Sequence, residues 1–93
     1  MDILQKDDGK NGVFYIQEGD IILAEMTYVW AGTTKFIIDH TDVSETLGGK
    51  GIGKQLLHRA IEFAREKQVK IMPLCPFAKA VFDKIEAYND VLF

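Results

Sequence analysis

The first half of the chain has the pattern of β-strands: short β-favouring segments bounded by turn residues. Three such segments lie at residues 13–16, 21–30 and 35–41, and in residues 21–30 the even-numbered side chains form one apolar face. Turn-forming residues separate them, with Gly19 between the first two and Gly32 between the last two. Short connections of this kind predict an antiparallel meander of three strands. The polar segment before the meander, residues 6–12, predicts a loop.

The second half of the chain has the period of an α-helix. Apolar residues recur at helical spacing from Ile52 onward, which predicts a helix over residues 51–67. Residues 69–72 form another short β-favouring segment, and Pro76 suits the first turn of a second helix. The apolar stripe of this second helix consists of Phe77, Val81, Ile85 and Tyr88.

Together these elements predict an α+β fold. The strand, helix and strand over residues 35–72 make a βαβ unit, whose strands are parallel and whose crossover is right-handed in nearly all proteins. We therefore expect a mixed sheet, antiparallel in its first part and parallel in its last, covered by two main helices. At 93 residues the chain is predicted to form a single domain.

Composition and charge narrow the possible functions. The net charge of −3 disfavours nucleic-acid binding, because nucleic-acid-binding proteins usually present a basic surface. No apolar run approaches the roughly 20 residues that span a bilayer, and the polar N-terminus does not have the form of a signal peptide. The single cysteine rules out an internal disulfide, which fits a reducing compartment. We predict a cytoplasmic monomer or weak homodimer with no metal site and no nucleic-acid or membrane partner.

The strongest chemical signal is the segment Gly-Gly-Lys-Gly-Ile-Gly at residues 48–53, directly before the predicted helix. The first N–H groups of a helix lack partners and carry partial positive charge, and glycine lets an anion approach the backbone closely. Lys50 and Lys54 add positive charge. The segment therefore predicts a phosphate site, and a mobile connection between strand and helix is the alternative.

Two common phosphate-binding motifs do not fit this segment. A Walker P-loop requires Ser or Thr after its lysine, where this chain has Gln55. A dinucleotide-binding fingerprint requires a third glycine at the position of Lys54.

The segment instead resembles the pyrophosphate loop of the GCN5-related N-acetyltransferases, whose motif Gln/Arg-x-x-Gly-x-Gly/Ala joins a strand to a helix. Gly51 and Gly53 match this motif, and Gly48 stands where the family has Gln or Arg. The chain is similar in particular to a small stand-alone branch of the family, through His-Thr-acidic-Val at residues 40–43 and through Cys75. The resemblance covers roughly residues 12–88 and implies a minimal acyl-CoA N-acyltransferase fold without the family's two N-terminal helices.

This resemblance implies that acetyl-CoA binds the chain and that a primary amine accepts the acetyl group. In the family, the backbone at the end of the fourth strand binds the acetyl carbonyl and the pantetheine arm, and the loop amides hold the pyrophosphate. The residues that the resemblance assigns to acetyl-CoA are Thr41, Asp42, Val43, Gly48, Gly49, Lys50, Gly51, Ile52, Gly53, Lys54, Cys75, Phe77 and Phe82.

Cys75 and His40 are the candidate catalytic residues. Many family members carry Asn-x-x-Ala-x-x-x-Tyr after the next strand, with Tyr as the proton donor to the departing thiolate, but this chain has Cys75 and Phe82 in that register. Cys75 is interpreted as an acetyl acceptor, as a proton donor to the CoA sulfur, or as a small buried apolar residue. By alternation His40 shares a face with Phe36 and Ile38, so it is either a general base or a satisfied histidine of the core or cleft.

Three hypotheses follow for the function. The chain is an acetyl-CoA-dependent N-acetyltransferase, or it is a module that binds acetyl-CoA or CoA with little or no turnover. The second hypothesis rests on Phe82, which has no proton to donate, and on the missing N-terminal helices. In the third, it is a structural domain whose glycine segment binds nothing.

Overall fold

The computed structural model describes residues 2–93 and contains one five-stranded sheet in the order β1-β2-β3-β4-β5. The first four strands pair antiparallel, and β4 pairs with β5 in parallel. This arrangement confirms the predicted mixed sheet. The strands are β1 Leu4–Asp7, β2 Asn11–Glu18, β3 Ile21–Trp30, β4 Lys35–Val43 and β5 Lys70–Pro73. The helices are α1 Ile52–Lys67 and α2 Pro76–Lys84, with short 3₁₀ helices at Glu45–Leu47 and Glu86–Val91.

The prediction of a loop over residues 6–12 is wrong in part. Leu4–Asp7 forms β1, which pairs with β2, and only the turn that follows it is irregular. The Asp8 carboxylate accepts hydrogen bonds from the backbone N–H groups of Lys10 and Asn11 and so fixes this turn. The segment Leu-Gln-Lys-Asp does not alternate apolar with polar residues, so its strand conformation depends on pairing with β2.

The second helix is shorter than its apolar stripe indicates. α2 ends at Lys84, and Ile85 has an extended backbone. The stripe nevertheless continues, because Tyr88 packs against the core from the 3₁₀ helix Glu86–Val91.

Both helices contribute to one core on a single face of the sheet, here called the inner face. Phe14, Met26 and Phe36 are fully buried on that face, where Leu57 and Ile61 of α1 join the same cluster. Side chains alternate across the sheet, so Val13, Thr27 and Ile37 lie on the opposite, outer face. No helix within residues 2–93 is long and apolar enough to cross a membrane.

A β-bulge in β4 changes which residues face the core. Tyr28 pairs with Ile38, but the preceding Thr27 pairs with His40, so Asp39 is an extra residue in the register of β4. Its carboxylate accepts a hydrogen bond from the Thr27 hydroxyl at 2.6 Å. His40 therefore points to the outer face with Thr27 and is exposed. The expectation that His40 shares a face with Phe36 and Ile38 is wrong, because alternation alone does not account for an inserted residue.

Candidate functional site

β4 and β5 separate where β5 ends. Their parallel pairing runs from Lys35 opposite Lys70 to Ile38 opposite Pro73. The backbone N–H groups of Leu74 and Cys75 then both donate to the carbonyl of Ile38, each at 3.0 Å. β4 continues to Val43 with β3 as its strand partner, so residues 40–43 have no partner strand on the β5 side within residues 2–93.

A cleft opens beside this free edge of β4. It encloses about 360 Å³ and brings together the end of β4, the glycine loop and the start of α2. Its lining residues are Thr41, Val43, Ser44, Glu45, Leu47, Gly48, Gly49, Gly51, Ile52, Gly53 and Phe77. Eight of the residues assigned to acetyl-CoA by resemblance therefore line this one cleft: Thr41, Val43, Gly48, Gly49, Gly51, Ile52, Gly53 and Phe77.

Sequence reasoning missed three of the lining residues, Ser44, Glu45 and Leu47. The Ser44 hydroxyl accepts a hydrogen bond from the Thr46 backbone N–H and begins the 3₁₀ helix that carries Leu47 into the core. The sequence signal that could have indicated this 3₁₀ helix is Leu47, a single apolar residue between a polar segment and the glycines.

The glycines of the loop serve different purposes. Gly49 and Gly51 have φ angles of +77° and +67°, which side-chain-bearing residues rarely adopt. Gly53 lies in the first turn of α1, where an added Cβ would stand 2.8 Å from Cζ of Phe77. Two of the glycines thus permit the backbone turn, and the third makes room for an aromatic ring of the cleft.

The N-terminus of α1 is suited to an anion. Gly51 is its N-cap and has no side chain to accept hydrogen bonds from the first N–H groups of the helix. Lys50 and Lys54 flank this position, are exposed, and form no ion pair within the described residues. Unpaired N–H groups, the helix dipole and two cations all favour negative charge here.

Cys75 lies at the point where the two strands separate. It is the N-cap of α2, directly before Pro76, and is 5% exposed. Its Sγ donates a hydrogen bond to Thr41 Oγ1 across the gap, at 3.2 Å. The only cysteine of the chain is thus in contact with a residue that lines the cleft.

The structure does not bring the other candidate residues to Cys75. His40 and Asp42 are exposed and point to the outer face, where they pair with Thr27 and Glu25 on β3. Phe82 is 3% exposed and packs in the core, with its ring edge-on to that of Tyr88. Phe82 is therefore outside the cleft lining, and Thr41, rather than His40, contacts the Cys75 thiol.

A larger cavity of about 470 Å³ lies at the opposite end of the sheet. Apart from Lys67, whose ammonium lies over the Phe63 ring, its polar side chains already have partners. The Asp7 carboxylate accepts hydrogen bonds from the Tyr28 hydroxyl at 2.6 Å, Trp30 Nε1 at 2.9 Å and the Gly9 N–H at 2.7 Å. Gln5 Nε2 donates to the Tyr28 hydroxyl as well. A ligand would have to displace these bonds, so we place the candidate site in the smaller cleft.

This second cluster shifts the pKa values of its members. Partial burial raises the pKa of Asp7, but the hydrogen bonds from Tyr28, Gly9 and Trp30 outweigh it and hold the pKa below its usual value. Burial and the hydrogen bond to Asp7 together raise the pKa of the Tyr28 hydroxyl. The cluster therefore consists of a carboxylate and a neutral phenol that stabilise each other's protonation state.

Comparisons with known proteins agree on the fold. The family model for the GCN5-related N-acetyl-transferases matches residues 13–91. A solution structure of a GCN5-like candidate N-acetyltransferase from Staphylococcus aureus is 41% identical, with a TM-score of 0.80 over 99% of this chain and 87% of that one. No curated protein matches the sequence.

More distant structures share the fold alone. A family acetyltransferase from Elizabethkingia anophelis with acetyl-CoA bound is 18% identical, with a TM-score of 0.62 over 81% of this chain and 52% of that one. A ribosomal-protein-alanine N-acetyltransferase from Brucella melitensis biovar Abortus 2308 is 17% identical, with a TM-score of 0.66 over 84% of this chain and 62% of that one. The present chain thus spans less than two thirds of these two proteins.

Proposed function

The chain belongs to the GCN5-related N-acetyltransferase family, and from this premise we propose that it binds acetyl-CoA in the glycine-loop cleft and transfers the acetyl group to a primary amine. The observation that carries the proposal is that the free edge of β4 and the N-terminus of α1 border the same cleft. A strand edge can pair with the amides of a pantetheine arm, as it pairs with an added peptide strand. A helix N-terminus can bind a pyrophosphate.

Each part of the cleft has a separate role in this proposal. The backbone of residues 41–43 binds the pantetheine arm and the acetyl carbonyl, while the N–H groups of residues 49–54 hold the pyrophosphate. Phe77 contributes an apolar ring to the lining, next to Gly53. Lys50 and Lys54 neutralise phosphate charge from the solvent side.

The reaction needs one proton acceptor and one proton donor. Acetyl-CoA supplies an acetyl thioester, whose carbonyl carbon gains a bond to nitrogen as its bond to sulfur breaks. We assign Cys75 as the group that gives a proton to the departing sulfur, because it contacts Thr41 at the free edge of β4. We assign His40 as the group that removes a proton from the amine, which places the acceptor on the outer face of β4.

A titration with acetyl-CoA, followed by amide chemical shifts, tests the binding step. We expect large shifts at residues 41–43 and 49–54, and none at Gly9 or Trp30 at the opposite end of the sheet. If the loop amides do not respond at millimolar acetyl-CoA, the proposed site is wrong.

Turnover is tested by following CoA release over a panel of primary amines with wild type, Cys75→Ala and His40→Ala. Loss of a positioned proton donor or acceptor reduces the rate by roughly 10²–10⁴-fold. Mass spectrometry of Cys75 during turnover distinguishes proton donation from a covalent acetyl-cysteine, because only the latter adds an acetyl group to the protein.

A second candidate function is acetyl-CoA binding without turnover. Two observations favour it: Phe82 has no proton to donate and is buried in the core, and Cys75 is only 5% exposed. Amide shifts in the loop together with no CoA release across the amine panel would support this second function over the first.

A further inference from the structure

We propose that Thr41 is the positioning residue of this site: its hydroxyl holds the Cys75 thiol against the free edge of β4 in both protonation states of the sulfur. The inference rests on the proposed function, since it assigns a partner to the group that gives a proton to the CoA sulfur. It begins from the hydrogen bond of 3.2 Å that joins Cys75 Sγ to Thr41 Oγ1 across the gap between β4 and β5.

The bulge at Asp39 creates this contact. Because the bulge shifts the alternation by one residue, Thr41 pairs with Met26 and points to the inner face, where Met26 is fully buried. Without the extra residue, regular alternation would place His40 on the inner face and Thr41 on the outer one. The irregularity of β4 thus selects which side chain faces the thiol.

The position of Cys75 is fixed from the other side as well. The carbonyl of Ile38 accepts the Cys75 backbone N–H at 3.0 Å, and the Cys75 carbonyl accepts the N–H of Lys79 in the first turn of α2. Because these hydrogen bonds hold the backbone, the position of Sγ depends only on rotation about the Cα–Cβ bond. The hydrogen bond to Thr41 selects the rotamer that points toward β4.

A threonine hydroxyl can form a hydrogen bond with both the thiol and the thiolate form of the sulfur. It accepts a hydrogen bond from the neutral thiol, and after rotation it donates one to the thiolate. When Cys75 gives its proton away, the sulfur therefore keeps a partner although it is largely buried. A valine has a similar branched shape but can do neither, whereas a serine can do both.

The S–H stretching band in the Raman spectrum tests the contact without reference to activity. The chain has one cysteine, so this band has a single origin. We expect the band to move to higher wavenumber in Thr41→Val, because the thiol loses its acceptor, and to return toward the wild-type value in Thr41→Ser. An unchanged band in Thr41→Val would overturn the proposal. If that variant does not fold, Thr41→Ala removes the same hydroxyl and gives the same reading.

Kinetics test the positioning role. A net hydrogen bond contributes about 1 kcal/mol, so kcat for acetyl transfer should fall about fivefold in Thr41→Val. Most of that loss should be recovered in Thr41→Ser, and KM for acetyl-CoA should stay within about twofold of wild type in both variants. A shifted band with unchanged kcat would show that Thr41 does not act in the reaction and would overturn the proposal. Absence of turnover in wild type would instead count against the proposed function, because the Raman result does not depend on it.

Discussion

The two ends of the sheet differ in whether their polar groups have hydrogen-bond partners, and this difference distinguishes a candidate binding site from a structural cluster. At the end near Asp7, polar side chains line the larger cavity and bond to one another. At the end near Cys75, the free edge of β4 and the uncapped N-terminus of α1 have donors and acceptors without partners among residues 2–93. Satisfied polar groups stabilise the fold, whereas unsatisfied ones at a surface can bind a ligand. The state of the polar groups is therefore more informative than the volume of the cavity.

The largest effect is expected at Gly12, beside the Asp7 cluster. An added Cβ there would lie 2.0 Å from Cζ of Tyr28, whose ring is fully buried and cannot move aside. Gly12→Ala should therefore lower the free energy of unfolding by about 3 kcal/mol, measured by urea denaturation. Gly9→Ala is the matched control, because its Cβ meets open space and only its positive φ is penalised, by roughly 1–2 kcal/mol. Equal losses in the two variants would contradict the steric explanation.

At the other end, Gly51 should govern binding. Gly51→Val should lower the affinity for acetyl-CoA at least about tenfold, because a β-branched residue resists the φ of +67° that sets the loop. Gly51→Asn adds a side chain yet tolerates this backbone conformation. If the asparagine variant binds like wild type by calorimetry, the glycine is needed for its conformation, and a close phosphate approach at this position is excluded. Unchanged affinity in Gly51→Val would argue against the cleft as the acetyl-CoA site.

Gly53 and Phe77 connect the loop to α2. Gly53→Ala should destabilise the protein by about 1 kcal/mol, because the new Cβ would approach the Phe77 ring to 2.8 Å. In a Phe77→Leu background the same change should become neutral or stabilising, since alanine is the better helix former. The difference between the two backgrounds, measured as a double-mutant cycle, should be about 1 kcal/mol. A coupling free energy of zero in this cycle would mean that the two residues are not in contact.

The sequence predicted the loop end of the molecule better than the opposite end. The glycines and the helical period after Ile52 are local signals, so they predicted the connection between β4 and α1 and the extent of α1 itself. β1 has no such signal, because Gln5 and Asp7 are polar residues whose partners are more than 20 positions away in the chain. The Asp7 cluster was therefore not predicted.

The side-chain contacts around Cys75 could not be predicted from the sequence either. Alternation placed His40 on the core side, but a bulge adds a residue without changing any local composition signal. The contact between Thr41 and Cys75 joins residues 34 positions apart, and it depends on both the bulge and the separation of β4 from β5. A sequence can thus indicate which residues form a site without indicating which of them are in contact.

The smallest effect should appear in the pH dependence of stability at the Asp7 end. The pKa of Asp7 is lower in the folded protein than in an unfolded chain, where it is about 3.9. Its stabilising contribution is therefore complete above about pH 4 and is lost as the pH falls through the lower, folded value. The effect is small because the carboxylate is mostly exposed and screened. Tyr28→Phe removes the strongest hydrogen bond that lowers this pKa, so its urea midpoints between pH 2 and 5 should vary less steeply than those of wild type. Parallel curves would mean that the charge of Asp7 does not contribute to the stability of this cluster.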